Sequence, residues 1–357
     1  MTVFNAAQKG HIDGYPLLFL GPKPGLLDTI NVQYPELERL YQTQISQIWN
    51  EFEVDLSQDR VDMREAPRAV TDLMVKTISW QHLADSVAAR SISGLLMPYV
   101  SNSEMENLVN VWSLFETIHA RTYSHIVKQT FENPVQMLEE TYANMDVLAR
   151  SEVIVQAFDA VEGMLDDVSE VEKLDTLLLA LVALFALEEI GFMASFAITF
   201  GIAETGRFMG IAQLVKLICR DEVLHTQFNG AIVNIHKKIP LVAARLNMLK
   251  PKIKAILDAV VNQEDIFSDY LFSEGRECIG LNKQLVKQYV RYMAAPMYDA
   301  YEVPMPFERI KDNPLPYMDT WINGSKVQTA PQELQNSAYL IGAVADDTAG
   351  LDFSELE

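Results

Sequence analysis

Two Glu-x-x-His pairs, each set into an otherwise apolar helical stripe, constrain this chain more than any other feature. Met105, Leu108, Val109 and Trp112 recur at helical spacing. The same three- and four-residue steps then reach Glu116, His119 and Tyr123, and return to Ile126 and Val127. Farther on, Ile211, Leu214, Val215 and Ile218 lead to Glu222 and His225, and the stripe resumes at Phe228 and Ile232. Carboxylates and imidazoles therefore interrupt two faces that ought to be core. A buried ionised carboxylate needs a compensating charge, and a metal ion supplies one. One such pair is a common chance spacing on a solvated face; two on separate buried stripes are not.

The pairs supply two carboxylates and two imidazoles one helical turn apart, the pattern of carboxylate-bridged di-iron or di-manganese bundles. Such sites take a further carboxylate from each of two other helices. Asp85, near the C-terminal end of a helix expected over 69–90, is one candidate. Its alternative is a surface Asp paired with Arg90. Glu188 or Glu189, side by side in a helix expected over 171–203, is the other. Successive helix positions point about 100° apart, so one of the two faces a given site. Four carboxylates would neutralise two divalent ions, and oxygen ligands with imidazole suit iron or manganese. On spacing alone, Tyr123 is either a buried aromatic with its hydroxyl satisfied or a redox-active phenol beside the metals. His11, His82, His125 and His236 stand in no comparable group.

The stretch from Leu177 to Ala203 is almost wholly apolar. Glu188 and Glu189 near its centre would each cost about 2.5–3.5 kcal/mol on membrane insertion. A buried core helix, with a local distortion near Gly191, accounts for it better. The net charge of −21 gives no electrostatic reason to bind nucleic acid or an anionic membrane. Cys219 and Cys278 have no framework spacing, and a reducing compartment fits them. Leu17–Leu20 is too short for a secretory signal, and Lys9 is the sole Lys or Arg in the first twenty residues. Cytoplasmic localisation is the expectation.

The chain divides into an extended N-terminal arm over 1–34, a helical bundle over 35–300, a Pro-rich coil over 301–330 and an acidic tail over 331–357. Helices are expected over 36–50 (with Trp49 in the last turn), 69–90, 103–129, 135–167, 171–203, 207–237, 242–271 (broken or kinked at Pro251) and 282–295 (stopped by Pro296). A polar link is expected over 55–60 and a turn at Asn323-Gly324. The tail holds six acidic residues and no Lys or Arg.

Motifs along nearly the whole chain resemble the small, radical-generating subunit of class I ribonucleotide reductase, of the tyrosyl-radical type. They are Trp49 with Asp55 and Asp59-Arg60, then Asp85-Ser86, Phe115 to His125, Leu187-Glu188-Glu189-Ile190 and Arg220 to His225. Ile279-Gly280-Leu281-Asn282, Asn313-Pro314-Leu315-Pro316, Ala330-Pro331-Gln332-Glu333 and Ser337-Ala338-Tyr339-Leu340 follow in the family's order. The resemblance implies an all-α, ferritin-like helical bundle with a di-metal carboxylate site in its core. It implies Asp85, Glu116, His119, Glu188, Glu222 and His225 as ligands of a di-iron-oxo centre, with Glu116 and Glu222 bridging, and it leaves di-manganese open. Glu188 is preferred to Glu189 because the family's glutamate follows Leu and precedes x-Ile-x-Phe.

Tyr123 would store the radical in an apolar pocket of Phe192, Phe196 and Ile218. His119, Asp221 and Trp49 would relay it outward, and Tyr339 would carry it, with Glu333 nearby, to the large catalytic subunit on which the tail docks. Glu189 and Gly191 depart from the family's commoner residues. A homodimer that serves deoxyribonucleotide synthesis is implied. The alternatives are a di-iron oxygenase or desaturase and a metal-storage bundle.

Overall fold

The structure, a computed structural model, describes residues 16–164 and 167–323. Tyr339, Glu333, the tail over 331–357, residues 1–15 of the arm and most of the expected turn at Asn323-Gly324 lie outside them. Four long stretches of helix build the centre: α3 (Arg68–Ser91), α4 (Ser103–Thr130), the pair α8 (Glu170–Ala186) and α9 (Met193–Ala203), and α10 (Met209–Lys238). Around them lie α1 (Pro35–Ile45), α2 (Ser57–Glu65), α5 (Pro134–Ala143), α6 (Met145–Ala149), α7 (Glu152–Glu162), α11 (Pro240–Leu271), α12 (Lys283–Ala300) and α13 (Tyr317–Asn323). The described residues contain no strand, only the isolated bridges Phe19–Val100 and Cys278–Leu281. The fold is all-α, as expected.

Side-chain caps start five of the described helices. Asn102 accepts from the Met105 amide at the start of α4. Ser169 and Glu172 form a reciprocal capping box on α8. The apolar stripes of α3, α4 and α10 then turn inward and bury Trp80, Trp112, Phe115, Ile218 and Phe228. The α8–α9 stretch is apolar all round, and its most apolar window is 94% buried inside the protein. It is the core helix that the two central glutamates led us to expect. Between α8 and α9 the backbone makes a π-helical turn, Leu187–Phe192, which carries Glu188 and includes Gly191.

Several boundaries differ from expectation. Helix α1 ends at Ile45, so Trp49 lies in the coil beyond it, anchored by burial and a hydrogen bond to Asp221. The expected link over 55–60 is partly α2, a helix with little apolar content that tertiary contacts support. The single helix expected over 135–167 is three, divided at Asn144, which caps α6, and again at Arg150–Ser151. Pro296 lies inside α12, as Pro251 lies inside α11, because packing outweighs one lost backbone hydrogen bond.

The start of α10 is capped from outside. Phe208 sits in the left-handed region at φ 55° and no side chain of its own segment caps the helix. Asp62 of α2 instead accepts from the Phe208 amide at 2.9 Å and from Arg207 at 2.8 Å. Asp59 accepts from the Ile211 amide at 2.8 Å. A Cβ at Gly210 would collide with the Asp59 carboxylate and stand 2.9 Å from the Asp55 carbonyl oxygen, so this close approach needs glycine. Losing such a cap costs about 1–2 kcal/mol. Asp62→Ala is expected to lower the unfolding free energy by about that much, and Gly210→Ala by more. Denaturant midpoints would measure both, and an unchanged Asp62→Ala midpoint would refute the cap.

Candidate metal centre

The central helices bring six ionisable side chains to one sealed place. Asp85 comes from α3, Glu116 and His119 from α4, Glu188 from the π-helical turn, and Glu222 and His225 from α10. All six are fully buried. Their potential ligand atoms form two overlapping groups, each with its atoms within 4.8 Å of one another. One group is Asp85, Glu116, His119 and Glu222; the other is Glu116, Glu188, Glu222 and His225. Glu116 and Glu222 belong to both, which is the arrangement two ions with shared carboxylates require.

Both imidazoles turn Nδ1 toward the carboxylates. His119 Nδ1 lies 3.2 Å from Glu222 and 3.5 Å from Glu116. His225 Nδ1 lies 3.1 Å from Glu222, 3.2 Å from Glu116 and 3.8 Å from Glu188. Hydrogen bonding leaves much of the cluster unsatisfied. Both oxygens of Asp85, both of Glu116, Glu188 Oε2, Glu222 Oε1 and His119 Nδ1 have no hydrogen-bond partner among the described residues. Buried oxygens without partners are rare in folded proteins. Here they converge on common points and are oxygen-rich with two imidazoles, so the residues fit a pair of divalent ions.

The electrostatics show the same strain. Burial and the charges of Glu116 and Glu222 hold the Asp85 and Glu188 carboxyls well above the usual carboxylate range. Burial also opposes ionisation of Glu116, but the two imidazoles outweigh it and pull this carboxyl down to about 2. Burial would depress His225, yet Glu222 and Glu116 raise it to about 9. His119 is likewise raised well above its ordinary value, by Asp221, Glu116 and Glu222. The raised carboxyls and imidazoles together mark a demand for positive charge that two ions would meet.

Hydrogen bonds lead outward from His119. Its Nε2 lies 3.2 Å from Asp221 Oδ2, and the same oxygen accepts from Trp49 Nε1 at 2.7 Å. Asp221 therefore favours the tautomer that leaves His119 Nδ1 facing the cluster. Arg220 buttresses Asp221 Oδ1 at 2.9 Å. The Trp49 and His119 rings are stacked, 6.2 Å apart.

Tyr123 is wholly buried and its hydroxyl has no partner among the described residues. Burial, then the Asp85 charge, raises its pKa well above the ordinary phenol value. Phe192, Phe196 and Ile218 are fully buried in the same core, and the two Phe rings stack at 5.8 Å. Glu189 stands apart from the cluster: burial raises its carboxyl to about 7, and it accepts from the Asn229 amide. His125 is half-buried, edge-on to Phe52, and joins no cluster.

Two neighbours of the cluster escaped sequence reasoning. Trp112 Nε1 donates to Glu188 Oε1 at 2.9 Å. Its position four residues before Glu116 on the same helical face was the available signal. Arg150, which bonds the carbonyl of Gly191, gave none.

Comparison with known proteins places the chain in one family. The family "Ribonucleotide reductase, small chain" matches residues 27–314. The ribonucleoside-diphosphate reductase subunit beta of Haemophilus influenzae is 31% identical, with 95% of each chain covered. The ribonucleotide reductase R2 subunit from Clostridium botulinum superposes with a TM-score of 0.78 over 90% of this chain and 98% of its own, at 19% identity. The dimanganese(II)-NrdF of Streptococcus sanguinis superposes with a TM-score of 0.64 over 82% of this chain and 96% of its own, at 20% identity.

Proposed function

The chain belongs to the ribonucleotide reductase small-chain family, and from that premise we propose that it stores a radical on Tyr123 and passes it outward through Trp49. It is a small subunit of ribonucleoside-diphosphate reductase, an oxidoreductase that pairs with a large subunit and has a buried carboxylate–histidine site for two metal ions.

The observation that carries the radical reading is the unpartnered Tyr123 hydroxyl, sealed in the core on the same helical face as Glu116 and His119. Asp85, Glu116, His119, Glu188, Glu222 and His225 would hold the ions, with Glu116 and Glu222 shared between them. When bound, such a redox-active pair supplies oxidising power drawn from dioxygen. The chain's own residues do the rest. Tyr123 would give up an electron to that oxidising power and its phenolic proton to the carboxylate cluster, in which Asp85 exerts the largest charge effect on the phenol. Phe192, Phe196 and Ile218 keep water and small reductants from the oxidised ring. Asp221 fixes His119 and accepts from the Trp49 indole, which supports a path for the oxidising equivalent toward the surface. Tyr339 in the acidic tail over 331–357 would continue it to the large subunit, where the ribonucleotide is reduced for DNA synthesis.

We take iron as the working metal. The donor set accommodates manganese as well, and electron paramagnetic resonance separates the two. Metal-free protein given ferrous iron and dioxygen is expected to develop a tyrosyl signal that is absent from Tyr123→Phe. Iron uptake and oxygen consumption without such a signal would sink the iron reading and direct the same test to manganese. A cytoplasmic homodimer completes the proposal, and a monomer mass on gel filtration at micromolar concentration would exclude the dimer.

A further inference from the structure

A buried cation from outside the central helices grips the turn that carries Glu188. Arg150, just past α6, is almost wholly buried. Its Nε donates to Glu264 Oε1 at 2.7 Å and its Nη2 to Glu264 Oε2 at 2.6 Å, a two-pronged pair. The same Nη2 donates to the carbonyl oxygen of Gly191 at 2.9 Å. The guanidinium lies 3.5 Å from the ring centroid of Trp80 and 4.3 Å from that of Phe267. Gly191 has no room to spare, because a Cβ there would stand 3.2 Å from Trp80 Cη2 and 3.6 Å from Glu264 Oε1. One side chain thus ties together the π-helical turn, α11 through Glu264, and α3 through Trp80, five residues before Asp85.

Stability alone does not account for such a device. A buried ion pair is often no better for stability than apolar side chains of the same volume, but it fixes geometry that apolar contacts leave loose. A π-helical turn is a local change of hydrogen-bond register in an α-helix, and such turns concentrate at functional sites. The register decides where the side chains of the turn point, and Glu188 is one of them. The opposite side of the turn is tied too: Asn229, one helical turn beyond His225 on α10, donates to Glu189.

We propose that Arg150, backed by Glu264, is a positioning residue for the metal centre. It holds the Gly191 carbonyl so that Glu188 is presented to the second ion position, beside His225. This rests on Glu188 being a metal ligand.

The test is an anaerobic cobalt(II) titration of metal-free protein, followed by calorimetry and by the visible absorption of bound cobalt, with a thermal midpoint for each variant. Arg150→Met combined with Glu264→Met removes both charges and leaves neither stranded. Arg150→Lys keeps the buried charge but loses the planar fork. The double variant is expected to bind the first equivalent as the parent does and the second about 10- to 100-fold more weakly, with an altered spectrum, as when a group that orients a ligand is lost. Arg150→Lys should fall between the two.

Two equivalents bound by the double variant with parental affinity and spectrum, whatever its thermal midpoint, would overturn the proposal. So would an equal loss at both positions, which marks general loosening. Should the double variant fail to fold, parental binding of the second equivalent by Arg150→Lys overturns it as well. A parent chain that does not take two equivalents, or a Glu188→Ala variant that takes two as tightly, strikes instead at the ligand assignment.

Discussion

Removing metal from this protein is expected to lower its unfolding temperature sharply, while Asp85→Asn raises the stability of the metal-free form. The reason is the charge left in the core. Without ions, Asp85 and Glu188 are buried among other carboxylates and resist ionisation. An ion that binds only the folded state adds about 4 kcal/mol of stability at a thousand times its dissociation constant. Asp85→Asn replaces this acid with an amide of nearly the same shape and removes the cost of holding it protonated, about 1.4 kcal/mol for each unit by which the pH exceeds its unfolded value, up to the folded one. The same substitution should abolish or weaken uptake at the ion position that groups Asp85 with His119.

The pH dependence has a definite sign. Asp85 and Glu188 are raised in the folded state, so the stability they allow is present below their unfolded values and is lost as pH rises toward the folded ones. His225, raised to about 9, acts in the same direction: its contribution is complete below the ordinary histidine value of 6.5 and is lost as pH rises through about 9. Glu116 is lowered to about 2, so its contribution is lost only in stronger acid, as pH falls from its unfolded value of 4.5 toward 2. Between about pH 5 and 9 these groups make the metal-free protein less stable as pH rises. Ion binding works oppositely, because its ligands must shed protons. The gap in thermal midpoint between loaded and metal-free protein should therefore widen from pH 5 to pH 9, and more steeply in the parent than in Asp85→Asn. A gap independent of pH, or a metal-free variant less stable than its parent, would contradict the account.

How much was legible in the sequence followed from how local each signal is. Glu116 with His119, and Glu222 with His225, announce themselves because each pair interrupts its own helix's apolar stripe. Their meeting at one point follows once both stripes must face one core. Glu188 against Glu189 was not decidable by that logic, since two adjacent residues on a helix buried all round have no outer face to assign. The choice depends on the π-helical turn, which in turn has Arg150 and Asn229 against it, donated by other segments.

Nonlocal polar contacts are the general blind spot. Trp49 and Asp221 are 172 residues apart, and Arg150 and Glu264 are 114 apart; no periodicity links either pair. Trp49 gains a functional role in sequence only through the family resemblance, and its helix ends at Ile45 rather than 50. The start of α10 failed differently. Its caps are Asp59, which in sequence reads as part of a polar link over 55–60, and Asp62 just beyond it. Pro296 reads as a stop from the local cost of proline alone, and the packing of α12 offsets that cost.

The larger kinetic effect is expected at the outer end of the His119–Asp221–Trp49 path. Trp49→Phe keeps an aromatic ring and leaves the Asp221–His119 contact in place, so metal uptake and tyrosyl yield should match the parent. Turnover with the large subunit should fall by about 100-fold or more, at or beyond the upper end of losses seen when a group beyond the ligands is removed. Asp221→Asn differs in kind. Asp221 Oδ2 serves both the indole and the imidazole while Oδ1 faces Arg220, so an amide here must either set its N–H donors against the Arg220 guanidinium or turn them toward Trp49 and His119, which favours the wrong His119 tautomer. That variant should lose turnover and also bind metal about 10-fold or more weakly. The two variants therefore divide the chain of contacts into a part that holds the ion pair and a part that only conducts. Radical loss in Trp49→Phe would mean that the indole protects or builds the centre, and full turnover there would remove Trp49 from the path and leave the buried Asp221–His119 contact as a ligand support alone.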